Sequence, residues 1–140
     1  MPRVSIIPGM RYDDAFAAID WLCAAFGFQR HLVVPDDAGG VAHAQLTLGE
    51  AMIMLGSTHE SAHDSLLKQP REAGAVTQSP YVVISDIDAH YERARKAGAE
   101  IVFELEEQHY GGKLYSARDP EGHLWNFGSY DPWAEQHSEG

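Results

Sequence analysis

Tyr110-Gly111-Gly112-Lys113-Leu114-Tyr115-Ser116-Ala117-Arg118-Asp119-Pro120-Glu121-Gly122-His123-Leu124-Trp125-Asn126-Phe127 reads as a β-hairpin with both of its ends marked. Gly111-Gly112 opens it. Asp119-Pro120-Glu121-Gly122 turns it, because proline presets the φ of a turn's second residue and glycine tolerates the positive φ that follows. Residues 113–118 and 123–127 are the arms. Along the second arm the period-two alternation of a strand puts Trp125 and Phe127 on one side and Asn126 on the other. The two large aromatic side chains are assigned to a core and the amide to the opposite face.

Working back from the hairpin, residues 100–105 are a strand, and residues 86–97 are a helix with Ile87, Tyr91 and Ala94 at helical spacing and Gly98 as its stop. Tyr81-Val82-Val83-Ile84 is the strand before it. Residues 56–78 lack a sustained period and read as a linker, with one helical turn around Ser65-Leu66-Leu67. The same order appears in the first half. A β-prone run, Val4-Ser5-Ile6-Ile7, precedes a helix over 13–26 that places Phe16, Ile19, Leu22, Cys23 and Phe26 on one face, with Asp13 as cap and Gly27 as stop. Strands over 28–35, 41–48 and 51–55 follow, separated by the turn-rich 35–40 and by Gly49-Glu50. Each half is therefore βαβββ, and the helix-stopping glycines stand 71 positions apart (98 − 27), as an internal duplication would leave them. From pattern alone, an unrelated mixed α+β fold is the alternative.

The 140 residues suit one domain, taken as 1–135 with a tail at 136–140. Within it the first module covers about 3–56, the linker about 57–78 and the second module about 79–130. No apolar run approaches the ~20 residues of a membrane-spanning helix, and the N-terminus lacks a secretory pattern, so a soluble, cytoplasmic protein without a membrane partner is expected. Cys23 is the lone cysteine, which excludes an intrachain disulfide and a four-cysteine zinc site. A formal net charge of −11 repels a phosphate backbone, so nucleic acid is not an expected partner, whereas a cationic small molecule would be attracted.

The closing hairpin resembles that of the vicinal oxygen chelate superfamily, the glyoxalase, bleomycin-resistance and dioxygenase proteins. Ala18-Ile19-Asp20-Trp21-Leu22-Cys23-Ala24-Ala25-Phe26-Gly27-Phe28 is similar to the first helix of that group, and Ser85-Asp86-Ile87-Asp88-Ala89-His90-Tyr91 to the start of its second. The resemblance spans the chain up to Trp133. It implies an α+β fold of two βαβββ modules forming a curved mixed sheet around a cleft, a homodimer, and four inward side chains that hold one divalent ion in the metal-dependent relatives. Carried over through the helix stops and the hairpin turn, those four positions are Ile7, Met54, Ser79 and Asn126. Each pair is offset by 72 positions (79 − 7 and 126 − 54).

These are poor metal ligands. Ile7 has no donor, Met54 offers a soft thioether, and Ser79 and Asn126 are neutral oxygen donors, so no metal and no cofactor is expected, and the Lewis-acid chemistry of the metal-bearing relatives is argued against. His43 shares a polar strand face with Gln45 and Thr47, opposite Ala44, Leu46 and Leu48. His59, His63, His90, His109 and His137 are read as solvated, and His123 as a structural residue of the hairpin. The sequence has no nucleophile elbow, Walker loop or dinucleotide fingerprint, and no catalytic residue is assigned. Glu104, Glu106 and Glu107 border the cleft in such a fold.

The expected ligand-binding cleft comprises Ile7, His43, Met52, Met54, Ser79, Tyr81 and Asn126, with Tyr115, Trp125 and Trp133 nearby. The function expected from the resemblance is metal-free binding and sequestration of a small, antibiotic-like molecule, as in the bleomycin-resistance relatives. Alternatives are a glyoxalase-like lyase or dioxygenase-type enzyme with a relocated metal site, a metal-free isomerase, and a dimeric regulatory module.

Overall fold

A computed structural model describes residues 3–134, and in it each half of the chain builds a four-stranded mixed sheet carrying one long helix. In chain order the first module is β1 (Gly9–Tyr12), α1 (Ala15–Phe26), β2 (Gln29–Pro35), β3 (Val41–Leu48) and β4 (Ala51–Ser57), with sheet order β1-β4-β3-β2. A 3-10 turn at Asp64–Leu66 and the short helix α2 (Pro70–Ala73) interrupt the connection. The second module repeats the plan with β5 (Tyr81–Val83), α3 (Ile87–Lys96), β6 (Glu100–Glu107), β7 (Lys113–Arg118) and β8 (Leu124–Gly128), ordered β5-β8-β7-β6. In each sheet the first strand runs parallel to the last, and the other pairs are antiparallel.

The repeat holds in atomic detail at an offset of 72. Asp14 caps α1 through Ala17 N, and Asp86 caps α3 through Ala89 N. Val41 N donates to Ser57 Oγ at 2.8 Å, and Lys113 N to Ser129 Oγ at 2.9 Å. Met54 N donates to the Pro8 carbonyl at 2.9 Å, and Asn126 N to that of Pro80 at 3.0 Å. Pro8/Pro80, Asp14/Asp86, Gly56/Gly128 and Ser57/Ser129 are thus identical residues in equivalent places. Gly27 and Gly98, one position closer together, each end a helix at φ 87°.

Three expectations are corrected. The first strand is Gly9–Tyr12, not Val4 to Ile7, and Val4 and Ile6 are almost wholly exposed. Strand propensity describes residues that fit a half-buried pleat, and here β4 pairs with the chain only from Pro8 onward. The cap of α1 is Asp14 rather than Asp13, and the helix turns Phe16 to solvent while Ala15, Ala18, Ile19, Leu22, Ala25 and Phe26 are buried. The linker also contains the unforeseen α2, whose first residue, Pro70, is buried.

The core lies on the helix side of both sheets and is shared between modules. The Phe26 ring from α1 packs against Trp125 and Phe127 from β8, at centroid distances of 5.6 and 4.6 Å, and Phe28 meets Trp125 at 5.6 Å. Each such fully buried ring contributes roughly 1.5–3 kcal/mol relative to exposure. The faces opposite the helices are left outward.

Candidate functional site

Side-chain alternation decides what the outward faces carry. In the first module Ala44, Leu46, Ile53 and Leu55 are buried toward α1, so His43, Gln45, Thr47, Met52 and Met54 point the other way. β2 adds Leu32 opposite Gln45 and Val34 opposite His43. In the second module Tyr115, Ala117, Trp125 and Phe127 are buried on the helix side, and Ser116, itself buried, takes the opposite parity with Asn126, Tyr81, Val83 and Phe103. Two equivalent cross-strand rows result: Gly9, Met54, Gln45 and Leu32 in one sheet, and Tyr81, Asn126, Ser116 and Phe103 in the other.

Ser79 and Asn126, 47 positions apart, are joined in space. Asn126 Nδ2 donates to Ser79 Oγ at 2.8 Å and to the Pro80 carbonyl at 3.1 Å, while Ser116 Oγ donates to Asn126 Oδ1 at 2.6 Å. The Tyr81 hydroxyl donates to the Tyr130 carbonyl at 2.6 Å, which swings the ring across Gly128. Burial, with Tyr110, Asp131 and Tyr130 nearby, pushes its phenol pKa up, so it stays protonated. On the other sheet Gln45 Nε2 and His43 Nε2 are 3.1 Å apart, and Met52 and Met54 are half-buried. Ile7 precedes Pro8 as Ser79 precedes Pro80, and is 37% exposed.

These side chains do not suit a divalent metal. Isoleucine has no donor atom, the thioether is soft, and the serine and asparagine are neutral and already bonded to each other. Among the described residues no three His, Cys, Asp or Glu side chains converge.

Several neighbours of the expected cleft lie elsewhere. Tyr115 has no exposed surface and belongs to the core, together with Trp125, whose strand parity opposite Asn126 already assigns it there. Trp133 is 93% exposed. Glu104, Glu106 and Glu107 are exposed on the edge strand β6, with Glu106 opposite Leu114. Leu32, Val34, Val83, Phe103 and Ser116 were not among the sequence candidates; their strand parity relative to Met54 and Asn126 was the signal for them. Surface grooves of about 390 and 350 Å³ lie beside α3, the larger lined by Leu48, Val83, Ile84 and Arg93 among others, the smaller by Asp88 and Lys113 among others.

The histidines divide differently from expectation. His90, read as solvated, is buried: its Nε2 is 2.8 Å from the Phe26 carbonyl and its Nδ1 is 2.7 Å from the Tyr115 hydroxyl. A carbonyl only accepts, so Nε2 carries the hydrogen and the neutral ring accepts from Tyr115. Burial holds the imidazole pKa below its ordinary value against that carbonyl, and Arg93 adds to the lowering. His123 Nε2 bonds the Arg11 carbonyl at 2.9 Å, a junction between modules. His59 leans on the Ser57 carbonyl, and His137 falls outside the described residues.

The turn of the closing hairpin is itself a junction. Asp119 is buried, accepting from the Tyr12 hydroxyl at 2.6 Å and Trp125 Nε1 at 3.1 Å. Buried charges are tolerated when every acceptor site is engaged, and the backbone N–H groups of Glu121 and His123 fill the other oxygen.

Comparison with known proteins agrees with this architecture. The chain is 31% identical to an uncharacterized protein of Mycobacterium bovis over 124 residues, covering 89% of this chain and 82% of that one. It is 33% identical to TioX from Micromonospora sp. ML1, with a TM-score of 0.74 over 90% of this chain and 98% of the other. A glyoxylase/bleomycin resistance protein/dioxygenase domain from Frankia sp. EAN1pec shares the fold at 17% identity, with a TM-score of 0.68 and coverage of 91% and 97%. The family model of the Glyoxalase/Bleomycin resistance protein/Dioxygenase superfamily matches residues 6–127, and with two mixed sheets related by an offset of 72 residues, the chain belongs to that superfamily.

Proposed function

We propose that this protein binds and sequesters a small aromatic or cationic molecule of the antibiotic type, without a metal, on the outward faces of its two sheets. The observation that carries the reading is the mutual engagement of Ser79 and Asn126, two of the four positions where metal-bearing relatives place ligands, alongside Ile7 and Met54 at the other two. Around them the exposed side chains are of the kind that line small-molecule sites: Leu32, Val34, Tyr81, Val83 and Phe103 are each between 39% and 66% exposed, with Met52 and Met54 beside them.

A homodimer belongs to the same reading. Within one chain the two faces point away from a shared core, and β1 and β5 are both edge strands. A second copy would turn an open sheet into a walled cleft and cover apolar surface that a lone chain leaves to water. The excess of acidic residues favours a cationic over an anionic ligand. Among the described residues no helix is long and apolar enough to cross a membrane; a cytoplasmic site of action is part of the proposal.

A thermal-shift screen of antibiotics and thiol adducts, run with and without a chelator, tests it. Stabilisation by a ligand that persists in chelator is the expected result. Turnover of an α-ketoaldehyde–glutathione adduct that stops with chelator would establish the enzyme instead.

A further inference from the structure

The hydrogen bonds around Asn126 have only one consistent direction. The Pro80 carbonyl is 3.1 Å from one terminal atom of the side chain and can only accept, so that atom is the nitrogen. The other terminal atom is then the oxygen, and Ser116 Oγ, 2.6 Å away, must donate to it. Asn126 Nδ2 spends its second hydrogen on Ser79 Oγ. Both amide hydrogens and the Ser116 proton are thereby consumed, whereas Ser79 Oγ has accepted a bond and kept its own hydrogen. Ser79 is exposed, so this hydrogen is available to a ligand on the face.

Two positions along the same strand direction, Tyr81 supplies a flat surface. A Cβ placed on Gly128 would lie 2.8 and 2.9 Å from ring carbons Cε1 and Cζ of Tyr81, so the ring lies against the bare backbone there instead of standing up from the sheet. Its hydroxyl is committed to the Tyr130 carbonyl, and its free face is available for stacking. Phe103 closes the far end of the same row, 66% exposed.

We infer that the second-module face selects a planar aromatic ligand carrying a carbonyl-type acceptor, stacked on Tyr81 and hydrogen-bonded by the Ser79 hydroxyl. This rests on the proposed binding role of the face and adds the ligand's polarity: an acceptor is required at Ser79. Ser116 and Asn126 are positioning residues: by fixing the amide orientation they make Ser79 Oγ an acceptor within the protein and leave its proton for the ligand.

Xanthone and xanthene are a matched pair of neutral planar probes, the first with a carbonyl where the second has a methylene. Calorimetric titration of the wild-type protein and of Ser79→Ala, Ser79→Thr and Asn126→Asp tests the inference. Wild type binds xanthone more tightly than xanthene; Ser79→Ala weakens xanthone about five- to tenfold and leaves xanthene within about twofold, as loss of one hydrogen bond predicts. Ser79→Thr, which keeps the hydroxyl, restores the preference. Asn126→Asp abolishes it, because a carboxylate accepts the Ser79 proton and withdraws it from the ligand. Equal binding of both probes, unaffected by Ser79→Ala, overturns the hydrogen-bond assignment while leaving an aromatic site in place. Failure of the wild type to bind either probe overturns it together with the aromatic reading.

Discussion

Glu121 and Arg93, both from the second module, hold opposite ends of α1 in the first. The Glu121 carboxylate accepts from Asp13 N at 2.6 Å and Asp14 N at 2.8 Å, where the chain enters the helix. Arg93 Nε donates to the Ala24 carbonyl at 2.9 Å and Nη2 to that of Cys23 at 3.1 Å, where it ends. α1 has no acidic residue in its first turn and no basic residue in its last. At the N-terminal end Glu121 joins the module's own cap, Asp14, and at the C-terminal end the charge that complements the helix dipole comes from Arg93 in the other half of the chain. Gly27 leaves the room, since a Cβ there would be 3.2 Å from Arg93 Nη1.

Removing these clamps lowers stability unequally. Glu121 is buried and accepts from Gln69 Nε2 as well as from the two backbone N–H groups, so Glu121→Ala removes three bonds and costs about 2–3 kcal/mol, whereas Arg93→Ala, at an exposed site, costs about 0.5–1 kcal/mol. The two ends of a 12-residue helix lie about 18 Å apart, so the costs add in the double variant. Urea denaturation measures all three; a marked departure from additivity would show that the clamps communicate.

His90 makes stability depend on pH. Its folded pKa is below its unfolded value of about 6.5, so the unfolded chain takes up the proton first as pH falls. The stabilisation of the neutral ring is complete above about pH 6.5 and is lost as pH falls from there toward the folded pKa. In His90→Gln the slope of stability against pH between 5 and 6.5 is shallower than in wild type. Equal slopes would assign the acid sensitivity to other groups.

Gly128→Ala tests the platform. The new methyl meets the far part of a half-exposed tyrosine that can swing away, so the melting temperature falls by only a few degrees. Xanthone affinity falls with it, because the ring no longer lies flat. Unchanged affinity would remove Tyr81 from the site.

Much of the fold was legible because its signals are local. Gly27 and Gly98 stop the two helices, and the strand predicted over 41–48 is β3, Val41–Leu48. β1 was misplaced because Val4 to Ile7 is more strand-like than Gly9–Tyr12. The offset that pairs Ile7 with Ser79 also pairs Pro8 with Pro80, and would have put the strand at Gly9. His90 stands three residues after Ile87 and four before Ala94, so its spacing already marked a buried face, and its polar character misled. At the site, Met54 and Asn126 are positions that the family resemblance implies, and parity sets Asn126 opposite Trp125 and Phe127, but the bonds from Asn126 to Ser79 and Ser116 depend on the approach of separate strands, which no local pattern encodes.

The side chains of Ile7, Met54, Ser79 and Asn126 are too poor as donors to hold a divalent ion. Dialysis of the protein against zinc, nickel, manganese or iron(II), followed by removal of unbound ion and elemental analysis, tests it directly. The result expected is far less than one ion per chain for every metal. One tightly held ion per chain, lost on Asn126→Ala, would contradict the account.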